Sequence, residues 1–371
     1  MAYDDRKKLM GSIEKLRNGR KLIAFCNFDR QSFPELPGLV APFASEAKEP
    51  LYRVLKETNI GRNGIDLFLY TRGGDTNAVW PIVSLLREFD PEFEVLVPFR
   101  AHSAGKMFAL ASKRIVMTRI AELSPIDPST GNQFNPKDPL TPGKLLGISV
   151  EDVNAFKDFV KEAFCLDTKN KKLTPQEREV LQPFMQKLTS EVHPIAIGNV
   201  HRVHKLIQRL ARNLLACNKI KERNEDEIVK RLIVEPYSHL HMINRQEAKE
   251  ILGSEQVVFA NDKLEVALDS MLREYENTFN LRKPLFLPKL MKEKTEKEVR
   301  FVGGAVESVK WGYLFATRAK IIKFSQLPPN VAVQLPPGQA MPLVPGIPVN
   351  FNVEMYEQAW EHNKEPQGVT V

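Results

Sequence analysis

The sequence predicts an α/β fold, and three observations predict it. Short apolar runs of strand length recur at residues 21–27 (KLIAFCN), 65–70 (IDLFLY) and 94–99 (EVLVPF). Segments with helical spacing of apolar residues follow them, at 44–58, 78–86 and 106–112. Glycine-bearing turns separate strand from helix, and this alternation predicts a βαβ core with right-handed crossovers. The 371 residues, 43% hydrophobic, are enough for one large α/β domain with additions, or for two domains.

Taken in order, residues 3–20 space their apolar side chains as an amphipathic helix, and 21–27 form the first strand. Residues 28–43, rich in proline and aromatics, read as a loop over the turns described below. After the 44–58 helix, the strand at 65–70 stops at Thr71-Arg72-Gly73-Gly74, and Asp75, Thr76 or Asn77 caps the next helix. The strand at 94–99 leads into Ala101-His102-Ser103-Ala104-Gly105 and a helix over 106–112. Residues 129–147 are a polar loop containing proline and glycine, long enough to suggest a function.

Helical spacing returns at 149–167 and 175–217, where Pro194 and Gly198 predict either two helices or one with a kink. Asn244 opens a short helix that Gly253 ends, and 262–279 is amphipathic. Residues 281–294 read as a linker and 300–325 as strands. Repeated prolines make 326–350 an extended tail, and 353–363 reads as a last short helix. The expected divisions are 1–20, 21–280, 281–325 and 326–371.

Charge and cysteines narrow the class. The net charge of +7 is a mild excess with no nucleic-acid signature, so no such partner is expected. Cys26, Cys165 and Cys217 are odd in number and widely spaced, which fits a reducing cytoplasm better than a disulfide framework. The first 21 residues lack the apolar core of a signal peptide, and no run is long enough to span a bilayer. His201 and His204 share a helix face, yet no third ligand follows at metal-binding spacing, so no metal is expected. Neither a PLP lysine motif nor a GxGxxG turn is present, and no cofactor is expected.

The two turns carry the chemistry. Gly73 and Gly74 let the backbone present bare N–H groups to a ligand, although glycines also serve strand-to-helix turns for geometry alone. Ser103 stands at the tip of the second turn, its hydroxyl displayed and the next N–H beside it, as in acyl transfer. A serine in that place also serves as a plain helix cap, and spacing alone fits both readings. On the acyl-transfer reading, Ser103 is the nucleophile, and Ala104 with Gly73 or Gly74 donates to the oxyanion.

The ordered blocks Gly73-Gly74, Ser103-Ala104-Gly105, Ala109-Leu110-Ala111, Ile115-Val116-Met117 and Ser124-Pro125-Ile126-Asp127-Pro128 resemble the serine dehydrogenase proteinase family. That family comprises soluble relatives of signal peptide peptidase A within the ClpP/crotonase superfamily. The resemblance covers roughly residues 20–258. It implies a ClpP/crotonase-like spiral of ββα units with a helical extension and a small β-rich C-terminal part. It also implies a serine peptidase acting on a peptide or protein substrate, assembled as a homo-oligomer.

The general base stays open. In related peptidases the residues before a Glu-Ala pair, here Glu247-Ala248, approach the serine, which makes His239 the first candidate. Signal peptide peptidase A uses a lysine; its place falls near Gly198, and Lys205 is the nearest substitute. Lys106 stands where the family carries a small or hydroxyl residue, and either reaches the site or lies on the surface. His193, His241 and His102 complete the set, His102 expected to point away from Ser103. Asp127 either orients the base or forms the turn before Pro128. Two rival readings are a crotonase-type acyl-CoA enzyme, which has no use for Ser103, and a catalytically silent scaffold.

Overall fold

The computed structural model describes residues 2–30, 32–33, 41–124, 132–141, 143–148, 150–164, 174–220, 224–234, 241–325 and 348–363. The chain divides into two units, one of residues 1–123 and 243–371, the other of residues 124–242.

In the first unit, helix α1 (Ala2–Leu16) buries Met10 and Ile13 and leads into β1 (Lys21–Asn27), whose residues 22–27 are all buried. A two-residue strand, β2 (Ser32–Phe33), precedes α2 (Lys48–Glu57), which buries Leu51, Val54 and Leu55 and turns Glu49 and Arg53 to solvent. Strand β3 (Ile65–Tyr70) is buried throughout, as expected of a strand covered on both faces. Next come α3 (Val79–Phe89), β4 (Glu94–Val97), β5 (Arg100–Ala101), α4 (Ala104–Leu110), β6 (Arg114–Met117) and β7 (Glu122–Leu123).

The second unit is helical, with α5 (Val150–Ala163), α6 (Pro175–Glu191), α7 (Pro194–Ala216) and α8 (Glu225–Val229). Pro194 does separate two helices: it is the first residue of α7, where its missing N–H removes no helical bond. Gly198 sits inside α7 without breaking it.

The chain re-enters the first unit at β8 (Ile243–Asn244) and continues through α9 (Arg245–Leu252), β9 (Val257–Phe259), α10 (Asp262–Thr278), β10 (Leu285–Phe286) and α11 (Leu287–Met291). Three strands close it: β11 (Glu296–Glu307), β12 (Gly312–Ser325) and β13 (Val349–His362). The main sheet has the order β13-β12-β11-β1-β3-β4-β6-β9. Its pairs from β1 to β9 are parallel, whereas β11, β12 and β13 add to the β1 edge antiparallel.

Leu22, Ala24 and Cys26, with Phe68, Leu96 and Val116, join the apolar cluster of α1 and α10 on one face. The alternate residues point the other way, where Phe25 stacks on Phe108 of α4 with ring centroids 6.2 Å apart. Parallel strands in chain order with right-handed crossovers put their connecting helices on that single face. The expected ββα unit is visible as β4, β5 and α4, and β5 forms a small second sheet with β7 and β8.

Charges in buried strands are paired. Asp66, fully buried in β3, accepts from Arg17 Nε at 2.6 Å and from Arg20 Nε at 2.6 Å, and Arg17 Nη2 also reaches Glu94 at 2.5 Å. Without these arginines the carboxylates would be buried uncompensated.

Two expectations at the C-terminus are corrected. Residues 353–363, expected as a helix, lie for all but the last residue in β13, because pairing with β12 from Tyr313–His362 to Ser325–Val349 supplies what a local helix would otherwise provide. Residues 281–294, expected as a linker, contain β10 and α11, whose Leu285, Leu287 and Met291 pack on Val299, Phe301 and Ile321. Most of the proline-rich stretch, residues 326–347, lies outside the described residues.

Candidate active site

The two turns meet. Thr71, just past β3, donates its N–H to Arg100 O at 2.9 Å and accepts from His102 N–H at 3.0 Å, so the nucleophile turn is stitched to the glycine turn. Gly73 N–H donates to Thr71 Oγ1 at 2.9 Å. Gly73 adopts φ +103°, and a Cβ there would stand 2.7 Å from Ser103 Cβ. Only glycine allows that approach.

Gly74 is held from the other side by Phe43, which donates to Gly73 O at 2.9 Å and accepts from Asp75 N–H at 2.7 Å. In this parallel bridge the N–H of Gly74 itself faces away from Phe43. Among the described residues, the N–H groups of Gly74 and Ala104 have no hydrogen-bond acceptor. Asp75 provides the expected cap, its Oδ1 accepting from Asn77 N–H at 2.8 Å.

Ser103 adopts φ +47°, ψ −112°, and its side chain makes no capping bond to α4. A plain helix cap has extended backbone angles and an engaged oxygen. Ser103 lacks the extended angles and does not cap α4, and it holds a conformation that costs an L-residue on the order of 1–3 kcal/mol.

Lys106, weighed from the sequence as reaching the site or lying on the surface, is fully buried. It is the third residue of α4, and helical side chains lean toward the helix start, here the Ser103 turn. Burial holds its ammonium down from the ordinary lysine value to about 7, with Glu247 opposing the shift. Glu247 lies in the first turn of α9, whose cap Asn244 accepts from Gln246 N–H at 2.9 Å and Glu247 N–H at 3.1 Å. Strand β8, which contains Asn244, pairs with β7, and β7 pairs with β5 just before Ser103.

His102 is oriented elsewhere. Its Nε2 lies 3.0 Å from Glu122 Oε1, and among the described residues no hydrogen bond joins its ring to Ser103. Burial holds the imidazole below its ordinary pKa; Glu122 opposes the shift and Arg100 adds to it. Sequence reasoning missed Glu122 and used Glu247 only as a landmark, since single acids in short polar segments carry no spacing signal.

His239 and Asp127 lie outside the described residues. His193 and Lys205 belong to the second unit. There His193 Nδ1 caps α7 by accepting from Ile195 N–H at 3.2 Å, its ring stacked on Phe134 at 4.7 Å, and Lys205 is exposed. His241, also in that unit, is exposed. Among the described residues no cluster of three or more His, Cys, Asp or Glu could hold a metal ion, and no helix is long and apolar enough to cross a membrane.

A strained serine beside two bare N–H groups calls for comparison with known hydrolases. Residues 2–138 match the ClpP-like SDH-type serine proteinase family. The matched part holds Gly73, Gly74, Ser103, Ala104 and Lys106, whereas His239 and Glu247 lie beyond it.

Among curated proteins, the chain is similar to two uncharacterised proteins of Methanocaldococcus jannaschii. One is 40% identical over 121 residues, covering 32% of this chain and 42% of the relative. The other is 29% identical over 133 residues, covering 35% and 45%. The chain thus spans less than half the length of either.

Similar solved structures include a mutant of the membrane-bound stomatin-specific protease 1510-N with a substrate peptide, at 16% identity, TM-score 0.35 and coverage of 61% of this chain and 74% of that one. A mutant ClpP1 from Listeria monocytogenes follows at 12% identity and TM-score 0.34, covering 68% and 98%. At such scores the fold assignment rests on the mixed sheet and on the proteinase family match.

Proposed function

We propose that the chain is a serine peptidase that cleaves peptide bonds through an acyl-enzyme on Ser103. The observation that carries this reading is the strained, non-capping Ser103 held against the Gly73 turn. In the proposed reaction Ser103 Oγ attacks the scissile carbonyl and loses its proton to a base. The tetrahedral oxyanion is met by the Gly74 and Ala104 N–H groups, where losing one such donor costs about 10²–10³-fold. The C–N bond then breaks, the proton passes to the leaving amine, and water repeats the sequence on the ester.

We assign the base to Lys106. A buried amine that titrates at about 7 is neutral often enough to accept the serine proton at physiological pH. His239, expected from the sequence, is the competing assignment. Intact mass after incubation with a peptide library, for wild type, Ser103→Ala, Lys106→Met and His239→Ala, separates them. Cleavage lost in Ser103→Ala and Lys106→Met but kept in His239→Ala supports the assignment; the reverse pattern for the last two transfers the role to His239. CoA-thioester turnover that survives Ser103→Ala would favour the crotonase-type reading.

We further propose a homo-oligomer in the cytoplasm. Exposed apolar side chains on the second unit support assembly, among them Phe159 at 64% and Ile195 at 54% exposure. Light scattering after size exclusion reads the assembly, and cell fractionation the location.

A further inference from the structure

Asp29 lies just past β1, with its side chain 19% exposed. It accepts from the Tyr70 hydroxyl at the end of β3 and from Arg100 Nη1 at 2.9 Å, and it forms an ion pair with Arg72, whose Nε stands 2.8 Å from its Oδ2. Arg72 immediately precedes Gly73 and Gly74. Arg100 belongs to β5, three residues before Ser103, and its Nε donates at 3.1 Å to the same Glu122 oxygen that faces His102. One carboxylate therefore receives an arginine from each turn, at the edge of a cleft of about 380 Å³ lined also by Phe99, Glu276 and Arg282.

We propose that Asp29 is a positioning residue that fixes the spacing between the oxyanion turn and the nucleophile turn, an inference that rests on the serine-hydrolase reading above. The backbone bonds between Thr71 and β5 end at Thr71, and Phe43 holds the far side of Gly73 and Gly74. Between them, Arg72 has a side chain 57% exposed that would wander without a partner. An isolated exposed ion pair does little, but a carboxylate that takes two hydrogen bonds, pairs with two guanidiniums and is four-fifths buried is geometrically restrained. Oxyanion donors must lie 2.7–3.1 Å from the developing charge, so small drifts of the glycine turn against Ser103 matter.

Hydrogen exchange of residues 71–75 and 100–105, together with fluorophosphonate inactivation kinetics, tests this in wild type, Asp29→Asn and Arg72→Gln. In Asp29→Asn both segments should exchange faster, and the maximal inactivation rate should fall by about 10²-fold with probe affinity unchanged. A merely stabilising role would lower the melting temperature without that split. Arg72→Gln, at an exposed side chain, folds even if Asp29→Asn does not, and should loosen 71–75 alone. If the wild type takes no label, the hydrolase reading fails, while faster exchange in both segments still supports the clamp. Unchanged exchange in either segment of Asp29→Asn, unchanged labelling of that variant where the wild type labels, or unchanged 71–75 exchange in Arg72→Gln overturns it.

Discussion

Gly73 and Ser103 touch: a methyl group on Gly73 would stand 2.7 Å from Ser103 Cβ, inside any real carbon contact, and a tight 3.0 Å from His102 O. Gly73→Ala must therefore push the two turns apart and also strain a residue at φ +103°. The expected result is a stability loss of roughly 1–3 kcal/mol in denaturant melts, with serine labelling lost well beyond that effect. Near-normal labelling would mean that the turns need not touch.

Lys106 gives a pH signature whose sign is fixed. Its folded value of about 7 lies below that of an unfolded lysine, so between roughly pH 7 and 10 the unfolded chain binds more protons. Stability from this group is fully present above the unfolded value, declines as pH falls through that window, and is lost below about 7. Lys106→Met should remove this slope from melting curves taken across the window. As the proposed base, Lys106 should also give wild-type activity that rises with pH through about 7, and its loss should cost about 10²–10⁴-fold in rate.

His102→Gln should behave differently although it neighbours the nucleophile. The ring is bonded to Glu122 and not to Ser103, so the variant should fold and keep labelling within about tenfold of wild type. A loss as large as that of Ser103→Ala would make His102 part of the proton path. Side-by-side inactivation kinetics decide it.

The parts legible in the sequence were those with local causes. The runs at 21–27, 65–70 and 94–99 are apolar because β1, β3 and β4 are covered on both faces. The turns at Gly73-Gly74 and Ser103 were legible for the same reason, since a turn announces itself. Residues 353–363 were not, because β13 owes its state to β12, about 40 residues away. The burial of Lys106 was hidden too, as a lysine on an alanine-rich helix reads as surface. Asp29, Glu122 and Glu247 gain their meaning only from partners brought together by the sheet.

The C-terminal strands are tied to the first helix by a buried ion pair. Arg6 Nε and Nη2 each donate to Glu307 at 2.8 Å, and the Tyr275 hydroxyl adds a bond at 2.7 Å. Breaking one side, as in Arg6→Ala, leaves an uncompensated buried carboxylate and should cost about 3–5 kcal/mol in urea unfolding. Replacing both, Arg6→Met with Glu307→Leu, should recover most of it. A small cost for Arg6→Ala would show that α1 and β11 are only loosely joined.

The central claim is that Ser103 is an activated nucleophile, and the most direct measurement is intact mass after fluorophosphonate treatment of the folded protein beside Ser103→Ala. The account predicts one adduct on the wild type and none on the variant. No adduct on folded wild type, or an adduct that persists in Ser103→Ala, would contradict it.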